Sequence, residues 1–434
     1  MTRVVVMGLG RFGGGASAAR WFAQQGADVV ATDLADEAKL GETIAALAEL
    51  PITYRLGRHD EEDFARADVV VVNPAVPFDH PLVAHARSHG ARVVTELGLT
   101  LQQLPGPVLA ITGTNGKSTT ATLAAAMLEA SGRTVELGGN IGRSLLHACA
   151  GMRPDTVAVL EISSFQLAWL EHDGLAPQVG IVTNVTGDHL DRHPTMEHYV
   201  AAKRKLARAV PAGGLLLLPR HDPVASTFAD GAAARVAWFD EEEPADLTGL
   251  LSGLRLAGRH NRANAAAAAY AALELGATPE GCAAGAAACE PLPHRLERVA
   301  ELRGVLCVND SVCTTPVAAA AAVRSFTQPV VLLTGGRDKG LDRGPLLEAA
   351  RTAKKVVAYG ETGPEIARLV PGALQADNLE EAFRMGLVQA ASGDVFLLSP
   401  GFSSYDQFPG FDVRGRRFRE LIEAEIAEDR PATR

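Results

Sequence analysis

The feature that most constrains the fold is a glycine-rich loop between two apolar stretches. Residues 108–111 are apolar, and residues 121–130 are apolar and rich in Ala. This order predicts a strand, a tight loop and a helix, an arrangement in which backbone N–H groups surround phosphate oxygens at the helix N-terminus. The sequence therefore predicts a nucleotide site at the loop, formed by Gly113, Thr114, Asn115, Gly116, Lys117, Ser118 and Thr119.

The loop also carries the side chains that phosphate chemistry needs. We expect the Lys117 ammonium to reach the outer phosphates of a nucleoside triphosphate, and a hydroxyl of Ser118 or Thr119 to contact Mg²⁺. The usual phosphate-loop pattern requires Gly at position 111, where this chain has Ile. An ordinary strand-to-helix turn is the alternative interpretation.

The first segment, predicted as a domain over residues 1–104, has a phosphate-binding turn of its own. An apolar run at 4–7 precedes Gly8-x-Gly10-x-x-Gly13, and a second run at 28–32 ends at Asp33. Dinucleotide-binding folds place a ribose-binding carboxylate at about this distance. An NAD site is one interpretation, but the same turn geometry would hold any phosphate.

The middle segment, predicted as a domain over residues 105–290, places a carboxylate at the end of a buried strand. Residues 156–160 predict this strand, and Glu161 follows it, where an acid holds Mg²⁺ directly or through water. Residues 138–142 predict a glycine turn.

A second group of candidate ligands follows the predicted strand at 179–183. His189 is favoured as a single metal ligand over a triad with Asp191 and His193, because Gly187 ends the strand and its side-chain alternation. Lys203 and Lys205 lie in a predicted helix among apolar neighbours, where a solvated lysine is the default expectation.

Further polar candidates lie around the second predicted boundary. Asn261 and Asn264 share a face at the start of an Ala-rich helix, where they could cap the helix or bind a base or phosphate. Arg295 is a candidate phosphate clamp.

The third segment, predicted as a domain over residues 291–434, repeats the alternation of strands and helices. Four apolar runs predict another parallel sheet, and each is followed by polar residues, at 309–311, 334–340, 359–362 and 399–404. Because ligands in open α/β sheets bind outside the carboxyl ends of strands, these turns should line one cleft.

Charge and cysteine content narrow the class of protein. The 434 residues have a net charge of −10, which argues against a nucleic-acid binder. Five cysteines without a C-x-x-C pair favour reduced thiols in the cytoplasm. We expect neither a signal peptide nor a membrane-spanning segment.

These motifs together resemble the Mur ligase family along essentially the whole chain. The resemblance rests on residues 113–119, 139–142, 161–166, 184–191, 199–203, 258–261, 292–295, 309–311 and 404–408. It implies a Rossmann-like N-terminal domain, a central P-loop ATPase-like domain and a Rossmann-like C-terminal domain. It also explains the phosphate loop, because Gly-Thr-Asn-Gly-Lys-Ser is the form this family has.

The resemblance implies an ATP-dependent ligase that joins glutamate to UDP-N-acetylmuramoyl-L-alanine through an acyl phosphate, in peptidoglycan precursor synthesis. ATP would contact the phosphate loop and, on its far side, Asn264, Arg295 and Asp310. Two Mg²⁺ sites are implied, one at Ser118 and Glu161 and one at His189 and a carbamylated Lys203. The implied catalytic residues are Lys117, Glu161, His189 and Lys203.

The resemblance also assigns the two other substrates. The UDP-sugar would contact Arg11, Phe12, Asp33, Leu34, Asn140 and His189, and the glutamate would contact Thr314, Lys339, Ser404 and Phe411. Val312 stands where well-known members of the family carry Lys, and Arg337 and Asp338 alter the loop before Lys339. We expect D-glutamate, with L-glutamate or another amino acid as the alternative.

Two other functions stay open at this point. A folylpolyglutamate-type ligase has a similar phosphate loop but should lack the glycine-turn domain at the start of the chain. A nucleotide-binding or NAD-binding regulator without catalysis would leave Lys203, Arg295 and Ser404 without a purpose. We expect a monomeric enzyme that binds no nucleic acid.

Overall fold

The computed structural model describes residues 1–10, 13–141, 143–170, 174–188, 193–241, 249–256 and 258–429. Three β-sheets follow one another along this part of the chain, with helices between their strands. The predicted α/β fold class with parallel sheets is therefore confirmed. The first two sheets belong to one compact unit and the third belongs to another. The domain bounds at 104 and 290 stay a prediction.

The first sheet contains strands β1 (Arg3–Met7), β2 (Asp28–Asp33), β3 (Ile52–Leu56), β4 (Val69–Val72) and β5 (Arg92–Val94). Helices α1 (Gly14–Gln24), α2 (Glu37–Ala45), α3 (Glu61–Ala65), α4 (Pro81–Ser88) and α5 (Glu96–Gln103) connect or follow them. All strands are parallel, in the order β3-β2-β1-β4-β5. The Val-rich runs suit strands that are buried on both faces. The strand order reverses between β1 and β4, where this type of sheet forms its ligand crevice.

The second sheet contains strands β6 (Val108–Thr112), β7 (Val135–Gly139), β8 (Val157–Glu161), β9 (Val179–Val182), β10 (Leu215–Pro219) and β11 (Arg235–Phe239). The helices of this part of the chain are α6 (Lys117–Ala130), α7 (Ser164–Trp169), α8 (Met196–Ala209), α9 (Arg259–Glu274) and α10 (Pro279–Ala288). The strands are parallel, in the order β11-β10-β9-β6-β8-β7. The predicted glycine turn at 138–142 is wrong at its start, because Gly138 and Gly139 pair with β8 as the end of β7.

The third sheet contains strands β12 (Glu297–Leu302), β13 (Val305–Asn309), β14 (Val330–Gly335), β15 (Lys355–Tyr359), β16 (Leu374–Ala376) and β17 (Val395–Leu398). Its helices are α11 (Pro316–Val323), α12 (Gly344–Ala350), α13 (Gly363–Leu369), α14 (Leu379–Leu387) and α15 (Phe411–Asp429). The order is β12-β13-β17-β14-β15-β16, and β12 pairs antiparallel with β13. The prediction of a parallel sheet therefore fails for β12, an edge strand that the sequence analysis did not predict.

All five cysteines are buried free thiols. Burial raises the pKa of Cys282 to about 11 and that of Cys307 to about 12. No helix in the described part of the chain combines the length and the apolar character that a membrane crossing needs.

Candidate active site

The phosphate loop connects β6 to α6 through two glycines with positive φ. Gly113 has a φ of 146° and Gly116 a φ of 84°, conformations that residues with a side chain rarely adopt. A Cβ atom on Gly113 would lie 1.8 Å from Thr183 Oγ1, and one on Gly116 would lie 2.5 Å from Asn264 Oδ1. Both positions therefore require glycine for conformation and for space.

The end of the neighbouring strand β9 fixes the tip of the loop. The Asn115 backbone N–H donates to Asn184 Oδ1 at 2.9 Å, and Asn184 Nδ2 donates to the Asn115 carbonyl at 2.9 Å. Thr183 Oγ1 donates to the same carbonyl at 2.6 Å. The loop is thus held in shape by side chains before any ligand binds.

Two lysine ammonium groups converge on one loop carbonyl. Lys117 Nζ donates to the Gly113 carbonyl at 3.0 Å and to the Thr114 carbonyl at 2.8 Å, and Lys203 Nζ donates to the Gly113 carbonyl at 2.6 Å. Lys203 is 1% exposed, so the default expectation of a solvated lysine is wrong. That expectation also fails for Lys205, whose Nζ donates to two backbone carbonyls, those of residues 168 and 170.

The predicted Mg²⁺ ligands Ser118 and Glu161 lie in contact. Ser118 Oγ donates to Glu161 Oε2 at 2.6 Å, and Asn140 Nδ2 donates to Glu161 Oε1 at 2.8 Å. The sheet explains this meeting: Glu161 ends β8, which pairs with β6 before the loop and with β7 before Asn140. The Glu161 carboxylate is 2% exposed, and no cationic side chain bonds to it within the described part of the chain.

Tyr199, to which the sequence analysis gave no role, contacts the loop from α8. Its hydroxyl lies 2.9 Å from Thr114 Oγ1, and its ring lies under Lys203 Nζ, 4.6 Å from the ring centre. An aromatic residue near the start of an amphipathic helix is normally interpreted as part of the hydrophobic core, so no local pattern indicated this contact.

Asn261 and Asn264 lie within α9 rather than before it. The helix begins at Arg259, so neither Asn is the N-cap and the capping interpretation is wrong for both. Both are buried, and Asn264 packs against the phosphate loop at Gly116.

Arg295, which belongs to the other compact unit, is half-buried, and its guanidinium forms no hydrogen bond with the residues that the structure describes.

The four polar turns of the third sheet lie at one edge, because β13, β17, β14 and β15 are adjacent and parallel. That they line one ligand cleft stays a prediction. At this edge Asp310 is 5% exposed. Its Oδ2 accepts from Ser399 Oγ at 2.7 Å, and its Oδ1 accepts from the Leu296 N–H at 3.1 Å. Burial raises the pKa of the Asp310 carboxyl to about 6, although these hydrogen bonds oppose the rise.

The predicted glutamate-binding residues lie on the turns of the same edge. Lys339 Nζ donates to Thr314 Oγ1 at 3.2 Å. Ser404 is buried at 3% exposure, whereas Phe411, at the start of α15, is 40% exposed. Within the described part of the chain, neither Ser404 nor Phe411 forms a hydrogen bond with Lys339 or Thr314.

Arg414 is a residue of this edge that the sequence analysis missed. It is 1% exposed, and its guanidinium donates to Ser311 Oγ at 3.0 Å, to the Ser311 carbonyl at 2.9 Å and to the Phe402 carbonyl. Ser311 Oγ donates in turn to the Phe411 carbonyl at 2.7 Å. Arg414 therefore ties the turn after β13 to the turn after β17.

The first sheet places Asp33 beneath its glycine turn. Asp33 Oδ2 accepts from the backbone N–H of Leu9 at 2.9 Å and of Gly10 at 3.4 Å. Asn73, which follows β4 and was given no role, donates to the Gly8 carbonyl at 3.4 Å. Leu34 is 69% exposed beside Asp33.

Three predicted site residues, Arg11, Phe12 and His189, lie outside the residues that the structure describes. Asp191 of the less favoured metal triad is outside them as well.

Three family models match successive parts of the chain. They are described as "Mur ligase MurD-like, N-terminal domain" over residues 2–95, "Mur ligase middle domain" over residues 111–272, and "Mur ligase, glutamate ligase domain" over residues 294–402. The chain belongs to the Mur ligase family, as its motifs predict.

Two full-length relatives of this chain carry the same name. The chain is 37% identical to the UDP-N-acetylmuramoylalanine–D-glutamate ligase of Roseiflexus sp. (strain RS-1), with 97% of this chain and 98% of the relative covered. It is 39% identical to the ligase of the same name from Anaeromyxobacter dehalogenans (strain 2CP-C), with 97% of each covered. Among solved structures, UDP-N-acetylmuramate-alanine ligase from Thermotoga maritima is similar with a TM-score of 0.62 and 19% identity, over 98% of this chain and 100% of that chain. That likeness concerns the fold.

Proposed function

We propose that the chain is an ATP-dependent ligase that joins D-glutamate to UDP-N-acetylmuramoyl-L-alanine in peptidoglycan precursor synthesis. The single observation that carries this proposal is the similarity, along nearly the whole chain, to relatives named UDP-N-acetylmuramoylalanine–D-glutamate ligase. In this proposal residues 1–104 bind the UDP-sugar, residues 105–290 bind ATP, and residues 291–434 bind glutamate.

ATP would bind at the phosphate loop, with its phosphates at the start of α6. Thr183 and Asn184 hold the loop in shape. The loop should therefore lose little conformational entropy when ATP binds. The Lys117 ammonium, which donates to two loop carbonyls, has negatively charged phosphate oxygens as its natural alternative acceptors. Asn264, Arg295 and Asp310 are the proposed contacts on the far side of the nucleotide.

The Ser118 and Glu161 pair fits a divalent cation. A carboxylate that is buried without a cationic partner is costly, and a bound cation would remove that cost. Carboxylate and hydroxyl oxygens are also the donors that Mg²⁺ prefers. When bound, Mg²⁺ would offset the negative charge of the phosphates and polarise the transferred phosphoryl group.

Lys203 is proposed as a carbamylated ligand of a second Mg²⁺, together with His189. Lys203 and Lys117 donate to the same Gly113 carbonyl, so two positive charges are held close together in a buried place. A carbamate on Lys203 would replace one of these positive charges with a negative one. The change would turn repulsion into attraction and supply oxygen donors for a metal.

The reaction would then take two steps. A carboxylate oxygen of the alanyl group attacks the γ-phosphorus of ATP, ADP leaves, and an acyl phosphate forms. The glutamate amine attacks the acyl carbon and loses a proton, and the tetrahedral intermediate expels inorganic phosphate as the amide forms. Lys117 would lower the repulsion between the two anions in the first step, in a site whose geometry is fixed in advance.

The remaining contacts are proposed for the two other substrates. Thr314, Lys339, Ser404 and Phe411 would hold glutamate, with the Lys339 ammonium opposite one of its carboxylates. Arg11, Phe12, Asp33, Leu34, Asn140 and His189 would hold the UDP-sugar. We further propose that the enzyme works as a monomer in the cytoplasm, where free cysteine thiols persist.

The test is release of inorganic phosphate by the purified protein. We expect release only when ATP, Mg²⁺, UDP-N-acetylmuramoyl-L-alanine and D-glutamate are all present. Release with L-glutamate or another amino acid instead would overturn the assignment of D-glutamate. Release without the UDP-sugar, or with a folate substrate in its place, would overturn the ligase proposed here.

Two variants separate this activity from a contaminating ATPase. Lys117→Met removes the ammonium that would contact the phosphates, and we expect it to lower turnover by about 10²-fold or more. Lys205→Met removes a lysine of the same helix whose ammonium donates to the backbone carbonyls of Ala168 and Leu170 rather than to the loop, and we expect it to retain most of the turnover. A protein that binds nucleotide but releases no phosphate under any of these conditions would be a regulator rather than an enzyme.

A further inference from the structure

His59 occupies a defined position at the carboxyl edge of the first sheet. It lies between β3 and α3, and its Nδ1 is 2.8 Å from Thr32 Oγ1. The Thr32 hydroxyl is also 3.0 Å from the Arg58 carbonyl. Because a carbonyl can only accept, the single hydroxyl proton of Thr32 is used in that bond.

The tautomer of His59 follows from this arrangement. Thr32 Oγ1 has no second proton to give, so Nδ1 must carry the hydrogen and donate it to Thr32. Burial, together with the nearby His80, lowers the pKa of His59, which favours the neutral ring. Nε2 is therefore an acceptor with a free lone pair, and within the described residues nothing donates to it.

The His59 ring lies close to the glycine turn and to the segment after β4. Thr32 directly precedes Asp33, whose carboxylate accepts from the glycine turn at Leu9 and Gly10. The His59 ring also lies 6.1 Å from the ring of His80, which caps α4 after β4, and 6.1 Å from the buried ring of Phe64. The ring thus lies between the end of β2 and the segment after β4, on the side of the sheet where nucleotides bind in folds of this order.

We propose that His59 Nε2 recognises the base of the bound nucleotide by accepting a hydrogen bond from the imide N–H of uracil. This inference rests on the proposed function, which supplies a uridine nucleotide as the ligand. Uracil carries a hydrogen on N3, whereas N3 of cytosine is an acceptor that would face the His59 lone pair. A fixed acceptor therefore distinguishes uridine from cytidine nucleotides, because the wrong base leaves two acceptors unpaired.

Two substitutions separate the two nitrogen atoms of the ring. His59→Asn places an amide nitrogen near the position of Nδ1, so it keeps the donor to Thr32 and removes the acceptor. His59→Gln places an amide oxygen near the position of Nε2, so it keeps the acceptor and weakens the bond to Thr32. His89→Asn, at an exposed histidine of the same segment, is the matched control.

The measurement is the calorimetric affinity of the full chain and these variants for UDP, CDP and 2′-deoxy-UDP. We expect the unmodified chain to prefer UDP over CDP by about 10- to 100-fold. His59→Asn should lose most of this preference through weaker UDP binding, while His59→Gln and His89→Asn should keep it.

An unchanged preference for UDP over CDP in His59→Asn would overturn the inference and leave the proposed function intact. A loss confined to the preference for UDP over 2′-deoxy-UDP would overturn recognition of the base in favour of the ribose. Failure of the unmodified chain to bind UDP at all would overturn the proposed function itself.

Discussion

Asp310 is a proposed ATP contact, and its carboxyl group is buried. The amount by which this burial lowers the free energy of unfolding can be measured. The pKa of the Asp310 carboxyl is raised from the ordinary value of 3.8 to about 6, because burial disfavours the ionised form. Between these two pH values the folded chain holds the proton while the unfolded chain has released it. The free energy of unfolding should therefore fall as the pH rises from about 4 to about 6.

The size of this cost follows from the shift in pKa. Each pKa unit corresponds to about 1.4 kcal/mol, so ionised Asp310 costs on the order of 3 kcal/mol at pH 7.5. Asp310→Asn is uncharged at every pH, and its amide keeps an acceptor for the Leu296 N–H and a donor for the Ser399 oxygen. We expect it to raise the free energy of unfolding by about 1–3 kcal/mol at pH 7.5 and by much less at pH 4.5.

Urea unfolding followed by circular dichroism at pH 4.5 and pH 7.5 measures the difference. Asp377→Asn, at an exposed carboxylate of the same unit, should change the free energy of unfolding little at either pH. Equal effects of Asp310→Asn at both pH values, or a greater loss of stability at pH 7.5, would refute the reasoning. The same variant should bind ATP more weakly, because Asp310 is a proposed ATP contact. A residue that lowers the stability of the fold is retained where function requires it.

Three further variants test the phosphate loop and its surroundings. Gly116→Ala should cost about 1–2 kcal/mol of stability for its positive φ and also weaken ATP binding by displacing Asn264. Gly132 also has a positive φ, of 78°, but a Cβ atom there would meet open space. Gly132→Ala should therefore lower stability without weakening ATP binding, and equal ATP binding by both variants would contradict this account. Glu161→Gln should raise the Mg²⁺ concentration needed for half-maximal phosphate release by about tenfold or more, whereas Glu129→Gln on α6 should not; matching Mg²⁺ curves would argue against a metal site. Lys203→Ala should lose activity and regain part of it with a short carboxylate in the buffer, and full activity without the additive would rule out the carbamate.

The strands and the loops were predictable where the chain itself determines the structure. Long apolar runs need burial on both faces, and the glycines at 113 and 116 permit backbone angles that other residues avoid. The meeting of Ser118 with Glu161 was also predictable, because a carboxylate at the end of an adjacent parallel strand must lie near the loop. In each case a local pattern and one rule of sheet topology were sufficient.

Arg414 shows why other parts of the site could not be predicted. A charged residue in an amphipathic helix normally faces solvent, yet Arg414 is buried because carbonyl groups of Ser311 and Phe402 accept from its guanidinium. Ser311 is separated from Arg414 by 103 positions in the chain. Only the assembled third sheet brings these groups together, so no local pattern could indicate the contact.

Strand β12 and the burial of Lys203 were not indicated by local patterns, for related reasons. The strand carries Glu297, Arg298 and Glu301, so it lacks the apolar run that identifies its neighbours, and its edge position tolerates these charges. The burial of Lys203 depends on a carbonyl 90 positions earlier in the chain.

The five buried cysteines can report on local opening of the chain, because their thiols react only when exposed. A thiol whose pKa is raised to about 11 or 12 holds almost no thiolate at neutral pH, and burial also denies access to a reagent. Labelling must therefore wait until the surrounding structure opens. Cys149 and Cys282 belong to one compact unit, and Cys289, Cys307 and Cys313 belong to the other. The order in which these thiols react would show which unit opens first, without any foreign probe in the protein.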